Sequence, residues 1–278
     1  MGGIARLDQR TPLTSGYTMA YRYIKATRVG SACVITLNRP DKKNAISMEM
    51  MGEISRAAQE AEDQPEVRGI AITGGPSFFS SGADLNEAMR MKTIADMNLF
   101  LGSLHRLNRT LEELKKPVLA AIEGVCYTGG LEMAMACDLR VAGEGATFAI
   151  TSARIGTVAG AGGTQRLPRL VGPAKAKELL FSAEPIDASE AHRIGLVNHV
   201  VPQGQALAKV KEMIGVYEKR GPVSLELAKR AVHQGMQMDL ASAIELEKII
   251  VTAVYGTQDK DEGISAFLEK REARFKGR

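Results

Sequence analysis

Tryptophan is absent from the 278 residues, aromatic side chains make up only 5%, and there are three cysteines and four histidines. Each shortage closes off a chemistry. Proteins that hold single-stranded nucleic acid combine aromatic stacking platforms with a concentrated basic stripe. Here aromatics are scarce and a net charge of +4 is spread along the chain without a Lys/Arg block, which argues against a nucleic-acid partner. An odd number of cysteines (Cys33, Cys126, Cys137), set far apart in apolar stretches, fits reduced core residues rather than a disulfide or zinc framework. His105, His192, His199 and His233 show no ligand spacing, so no metal site is expected. No apolar run approaches the roughly 18 residues of a membrane span. The first 22 residues lack a secretory apolar core. Residues 1–21 are expected to be an extension, either lineage-specific or a weak organelle-targeting segment, on a soluble protein of the cytoplasm or, in a eukaryote, the mitochondrial matrix.

Glycine, in contrast, is concentrated. The stretch "FAITSARIGTVAGAGGTQR" (148–166) is glycine-rich and carries no carboxylate. It does not complete a dinucleotide fingerprint. Gly160 and Gly162 supply the first pair, but Gln165 stands at the third glycine, and no acidic residue follows about 20 positions on at the end of a second strand. The Lys-Ser/Thr pair of a phosphate-binding loop is also missing.

The pattern along the chain is α/β. "ACVITL" (32–37) alternates and is rich in β-branched residues, so it reads as a strand. Ser47 is a plausible N-cap for a helix running to about Asp63. Further strands are expected at 67–73, 118–124 and 196–201, and a long amphipathic helix at 93–115, ended by Pro117. Residues 129–138 form a short helix that is apolar nearly all round and must be buried. After residue 203 the signal is wholly helical, with Gly221-Pro222 as a break.

Two segments share one form, a buried strand running into a glycine turn that opens a helix: Ser81-Gly82-Ala83-Asp84 and Tyr127-Thr128-Gly129-Gly130-Leu131-Glu132. The first amides of a helix lack intrahelical partners and carry partial positive charge. Two such amides from separate loops either converge on one carbonyl oxygen or simply mark ordinary strand–helix junctions. Glu132 adds a carboxylate in the first turn of the apolar helix. It is either a general acid/base tuned by burial or a residue that stabilises the helix dipole.

Together the segments resemble the enoyl-CoA hydratase/isomerase, or crotonase, superfamily. The matching pieces are "VITLNRPDKKNAIS" (34–47), "FFSSGADLNE" (78–87), "KPVLAAIEGVCYTGGLEMAMACDLRVA" (116–142), "GAGGTQRLPRLVG" (160–172), "AHRIGLVNHVV" (191–201) and "GISAFLEKREARFKG" (263–277). The resemblance implies a crotonase-like spiral of ββα repeats over residues 22–203, holding an acyl-CoA site, and a C-terminal helical trimerisation region over 204–278. The assembly implied is a homotrimer or a dimer of trimers. No cofactor is implied, since coenzyme A enters as part of the substrate. The amides of Ala83 and Gly129 would form an oxyanion hole, with Ser81, Asp84, Leu85 and Asn86 along the acyl-pantetheine. Lys43 and Ala45 would lie near the adenine and pantetheine, and Phe267 and Lys270 would reach the nucleotide end, often from a neighbouring subunit.

Glu132 matches the first of the two catalytic glutamates of the hydratases, while Ser152 stands at the position of the second. A serine positions water but is a very poor acid or base near neutral pH. The implied activity is a hydratase-type lyase on an unsaturated acyl-CoA, with Glu132 as acid/base. The alternatives are a double-bond isomerase or another enolate-handling relative. An RNA-binding member, using the basic residues of "HRLNRTLEELKK" (105–116), and a silent scaffold are further readings.

Overall fold

The protein is described by a computed structural model over residues 21–278, so the expected N-terminal extension lies, apart from Tyr21, outside the described residues. Strands alternate between two sheets in a repeating path. β1 (Ile24–Val29) and β2 (Ala32–Leu37) form an antiparallel hairpin, followed by α1 (Met48–Glu62). Then come β3 (Gly69–Thr73), β4 (Phe78–Ser80), α2 (Leu85–Ala88) and α3 (Ile94–Glu113). The path repeats with β5 (Val118–Ile122), β6 (Val125–Tyr127) and α4 (Gly129–Ala136), and again with β7 (Leu139–Gly143), β8 (Thr147–Ala149) and α5 (Gly163–Val171). After α6 (Pro173–Ser182), β9 (Ile186–Asp187), α7 (Ala188–Arg193) and β10 (His199–Val201), the chain ends in α8 (Ala206–Glu218), α9 (Pro222–Gly235), α10 (Leu240–Tyr255) and α11 (Gln258–Leu268).

β1 and β2 both join a six-stranded sheet, ordered β1-β2-β3-β5-β7-β10; in each of the next three ββα turns the first strand joins that sheet and the second joins a four-stranded sheet, ordered β4-β6-β8-β9. This is the expected spiral. The central strands of the larger sheet, β2, β3, β5 and β7, are buried on both faces, and their side chains divide with the period of two that a pleated strand imposes. Cys33, Ile35, Ile70, Ile72, Ala120 and Ile122 face the main core with α1, α3 and α4, while Val34, Ala71, Leu119 and Ala121 meet Val210 and Ile214 of α8. The buried Glu123, just past β5, accepts the Ala206 amide at 3.0 Å and ties this helix to the spiral.

The N-cap inferred at Ser47 is present, its hydroxyl accepting from the Met50 amide at 3.2 Å. The expected long helix is slightly shorter, because Thr93 and Asp96 close a capping box at its start. The strand expected at 196–201 is restricted to His199–Val201, since Leu196 and Val197 return their amides to the Ala191 carbonyl behind α7.

The last residues are strapped back onto α11. Asp259, buried at the first turn of that helix, accepts the Lys276 and Gly277 amides at 2.6 and 2.7 Å. Truncation to alanine leaves both amides without that acceptor, a loss of about 1–3 kcal/mol. Asp259→Ala is therefore expected to lower the melting temperature by several degrees and to expose the C-terminus to carboxypeptidase, with Asp259→Asn intermediate in both measurements.

Candidate active site

The smaller sheet builds the site. Its strands β4, β6 and β8 run parallel and adjacent, so their C-terminal ends share one edge. Neighbouring strands lie about 4.8 Å apart, which places three departing loops side by side. Ala83 follows β4 by three residues, Gly129 follows β6 by two, and Ser152 follows β8 by three. Open α/β sheets bind ligands at such carboxyl ends.

Small residues bring the first two loops into contact. A methyl group placed on Gly129 would stand 3.0 Å from the Ala83 nitrogen, and one on Gly82 would stand 3.5 Å from the Gly129 nitrogen. A methyl on Gly130 would meet the Ser80 Cβ at 2.6 Å, so α4 enters the site over a position only glycine can fill. The Ala83 and Gly129 amides have no acceptor among the described residues. Both donors are thus left for a ligand.

The loop before α1 zips onto the Ala83 loop. Ser81 donates its amide to the Lys43 carbonyl at 3.0 Å, Ile46 donates to Gly82 at 2.8 Å, and Asp84 donates to Ile46 at 3.0 Å. Lys43, Ala45, Ser81, Ala83 and Asp84 are therefore brought together. Asn44 fixes the turn from inside, giving its side-chain amide to the carbonyls of Gly74, Phe78 and Phe79 at 2.9, 3.2 and 3.3 Å. Lys43 itself is exposed, its ammonium 6.0 Å from the centre of the Phe78 ring.

Arg39, which sequence reasoning did not single out, joins these pieces. It donates to the Ala45 carbonyl at 2.6 Å and to the Asp84 carboxylate at 2.9 Å. Burial pushes the Asp84 carboxyl up, but the Arg39 and Asn86 hydrogen bonds outweigh it and hold the group below its ordinary range. Asp84 is the N-cap of α2, accepting from the Asn86 amide at 3.0 Å. Its side chain is thus committed to the loop, while Leu85 and Asn86 stand exposed beside it.

Glu132 is 2% exposed. Its Oε1 accepts the amides of Ala161 and Gly163, each at 2.8 Å, and its Oε2 has no partner among the described residues. Burial raises the carboxyl above the ordinary glutamate range, opposed by the Gly163 and Ala161 amides and then by the positive charge of Arg166 and His105. Desolvation wins. The glycine-rich stretch thus finds its use as a carboxylate cradle, and a methyl on Gly163 would fall 2.8 Å from Oε1. Behind the cradle, the Ala161 carbonyl accepts from Asn108 at 2.8 Å and from Arg166 at 3.0 Å, and Arg166 is held by Glu112. No sequence signal pointed to Asn108 or Arg166.

Ser152 is buried, and its hydroxyl has no partner among the described residues. Phe267 and Lys270, in contrast, sit at the end of α11, which packs on α10, and both are exposed. Within this chain they are not brought to the Ala83–Gly129 pair. Of the basic residues in 105–116, Lys116 is tied to the carbonyls of Ala61 and Gln64 at 2.9 and 2.5 Å, and Arg109 pairs with Glu113 at 2.7 Å.

A family model described as enoyl-CoA hydratase/isomerase matches residues 27–278. The chain belongs to the enoyl-CoA hydratase/isomerase family. It is 40% identical to a crotonyl-CoA hydratase of Syntrophomonas wolfei over 258 residues, covering 92% of this chain and 99% of that protein. It is 39% identical to a short-chain-enoyl-CoA hydratase of Clostridium acetobutylicum, covering 90% and 96% of the two chains. A crystal structure of an enoyl-CoA hydratase from Bacillus anthracis superposes with a TM-score of 0.88 at 34% identity, over 92% of this chain and all of that one. The protein is an enzyme of the enoyl-CoA hydratase/isomerase family with the crotonase fold. No helix among the described residues is long and apolar enough to cross a membrane.

Proposed function

We propose that the protein adds water to the double bond of an enoyl-CoA thioester, or removes it in reverse, with no cofactor beyond the coenzyme A of the substrate. The observation that carries this reading is the pair of unpaired amides, Ala83 and Gly129, beside a buried carboxyl whose Oε1 is pinned and whose Oε2 is free. The thioester oxygen accepts from both amides. Glu132 takes a proton from water as its oxygen attacks the β-carbon, the electron pair moves onto the thioester oxygen as an enolate, and the same carboxyl returns the proton to the α-carbon. Each oxyanion donor contributes about 2.7–4 kcal/mol to the transition state. The hydratase names of the relatives in Syntrophomonas and Clostridium support the assignment.

A second reading has its own observation. The buried Ser152 stands where the resemblance implies a second carboxylate, which assigns proton transfer to Glu132 alone. One base suffices to carry a proton between the α- and γ-carbons, which is double-bond isomerisation. A panel of enoyl- and dienoyl-CoAs followed by absorbance of the conjugated thioester separates the two: hydration removes the conjugation, and isomerisation of a non-conjugated substrate creates it. No loss of conjugation with any member would sink the hydratase assignment. Ser152→Ala is expected to reduce kcat by less than tenfold, since a hydroxyl only orients water, whereas general acid/base groups contribute about 10²–10⁴-fold. A loss as large as that of a Glu132 variant, measured on the same substrate, would place Ser152 in the chemistry.

The proposal includes a homo-oligomer, as a trimer or a dimer of trimers. Its support is the α9–α10 hairpin, in which no residue is buried and Val232, Met236, Leu240, Ile244 and Ile249 are exposed. Apolar patches of this kind mark protein contacts. Phe267 and Lys270 would then meet the nucleotide end of coenzyme A in a neighbouring subunit, with Lys43 near its phosphates.

A further inference from the structure

Thr128 has φ 41° and ψ −111° and is one of five non-glycine residues with positive φ among those described. A β-branched residue is the worst tenant for such a conformation, because its Cβ substituents crowd the backbone. Glycine, used at both following positions, would sit there without strain. Threonine at this position therefore needs its side chain for something, and observed backbone strain of this kind points to function. The hydroxyl does not cap α4. Its oxygen accepts the Thr151 amide at 3.0 Å and lies 2.8 Å from the Thr151 hydroxyl.

The rest of Thr128 is also fully engaged. Its amide donates to the Ala149 carbonyl at 2.8 Å, and its own carbonyl accepts the Glu132 amide at 2.8 Å. One residue is thus bonded to the end of β8, to the backbone of the proposed base, and to the residue preceding Ser152. The peptide bond that follows it carries the Gly129 amide.

We propose that the Thr128–Thr151 hydroxyl pair is a positioning device that fixes the Gly129 amide against the thioester oxygen and keeps the Ser152 turn in register with it. The inference rests on the proposed oxyanion role of Gly129, and it holds whether the enzyme hydrates or isomerises. Without the clamp, Thr128 relaxes toward negative φ and rotates the adjoining peptide, so the donor leaves its place while the acyl-CoA contacts of the neighbouring loops remain. The cost falls on kcat rather than KM, because a misplaced donor is felt most where negative charge develops.

The test uses Thr128→Val, which keeps the β-branch and removes the hydroxyl, with Thr151→Val and Thr128→Ser beside it. Each is read by steady-state kinetics, by thermal melting, and by the absorption of bound 4-dimethylaminocinnamoyl-CoA, a chromophore that shifts to the red when its thioester carbonyl is polarised. The red shift reports the hole without any turnover. The wild-type protein is expected to shift the probe. Thr128→Val should lose most of the shift and about tenfold to a hundredfold in kcat at nearly constant KM. Thr128→Ser should behave as wild type, and Thr151→Val should fall between, since it leaves the amide bond to Thr128 in place. Wild-type kinetics and probe shift in Thr128→Val would overturn the inference, as would no shift in the wild type. Should Thr128→Val not fold, Thr151→Val decides alone: a partial loss of shift supports the clamp, and an unchanged spectrum overturns it. A wild type that shifts the probe but hydrates nothing would remove the hydratase assignment and leave the clamp standing.

Discussion

Glu132→Gln is expected to lower kcat by about 10²–10⁴-fold, the contribution of a positioned general acid/base, while leaving the protein folded. Glutamine has the same shape, and its side-chain oxygen can still accept the Ala161 and Gly163 amides that hold Oε1. What it loses is the free Oε2 that we propose takes and returns a proton. The pH dependence follows from the same burial. Desolvation raises the Glu132 carboxyl above its ordinary range despite the two amides, so the acidic limb of kcat/KM should lie above that of a solvated glutamate, with activity falling as pH drops through it. Any residual activity of the glutamine variant should lack this limb. Stability has the opposite sign. A carboxyl whose folded pKa lies above its unfolded value favours the folded state at low pH and loses that contribution as pH rises through the folded value. Glu132→Gln should therefore melt no lower than the wild type at neutral pH, and above the raised pKa it should melt higher. Activity lost without stability lost is the pattern of a residue kept for chemistry.

Gly129→Ala is expected to cost about 10²–10³-fold in kcat, the effect of losing one oxyanion donor. The backbone there accepts alanine, because Gly129 opens α4 without a positive φ. The added methyl group, however, would stand 3.0 Å from the Ala83 nitrogen and 3.6 Å from the Ala83 Cβ. It would narrow the gap proposed to take the thioester oxygen, so that the oxygen reaches one amide rather than two. The melting temperature should change little, and the red shift of the bound cinnamoyl chromophore should disappear. A variant with wild-type kcat would show that the oxygen is held elsewhere.

Much of the frame was legible in the residues. Ser47 as N-cap, the buried helix carrying Glu132, and the two strand–glycine–helix junctions each follow from a local pattern that the fold respects. β1 lacked such a pattern: "IKATRV" alternates weakly, and only its pairing with β2 makes it a strand. The site was less legible, because its decisive bonds are long-range. Glu132 receives amides from residues 29 and 31 positions away, and Arg39 reaches Asp84 across 45. The glycines of 160–163 looked like a phosphate loop without its partners because nothing local shows that their amides face a carboxylate. Thr128 stood in a motif read for its glycines, and its positive φ is visible only once the Thr151 turn is beside it.

The central claim is tested most directly by incubating the protein with crotonyl-CoA in heavy-oxygen water and weighing the acyl-CoA formed. Hydration through Glu132 gives a product heavier by one molecule of labelled water, formed by the wild type and nearly absent with Glu132→Gln. A crotonyl-CoA of unchanged mass, returned by an enzyme that turns over non-conjugated enoyl-CoAs, would contradict hydration and assign the same carboxyl to isomerisation.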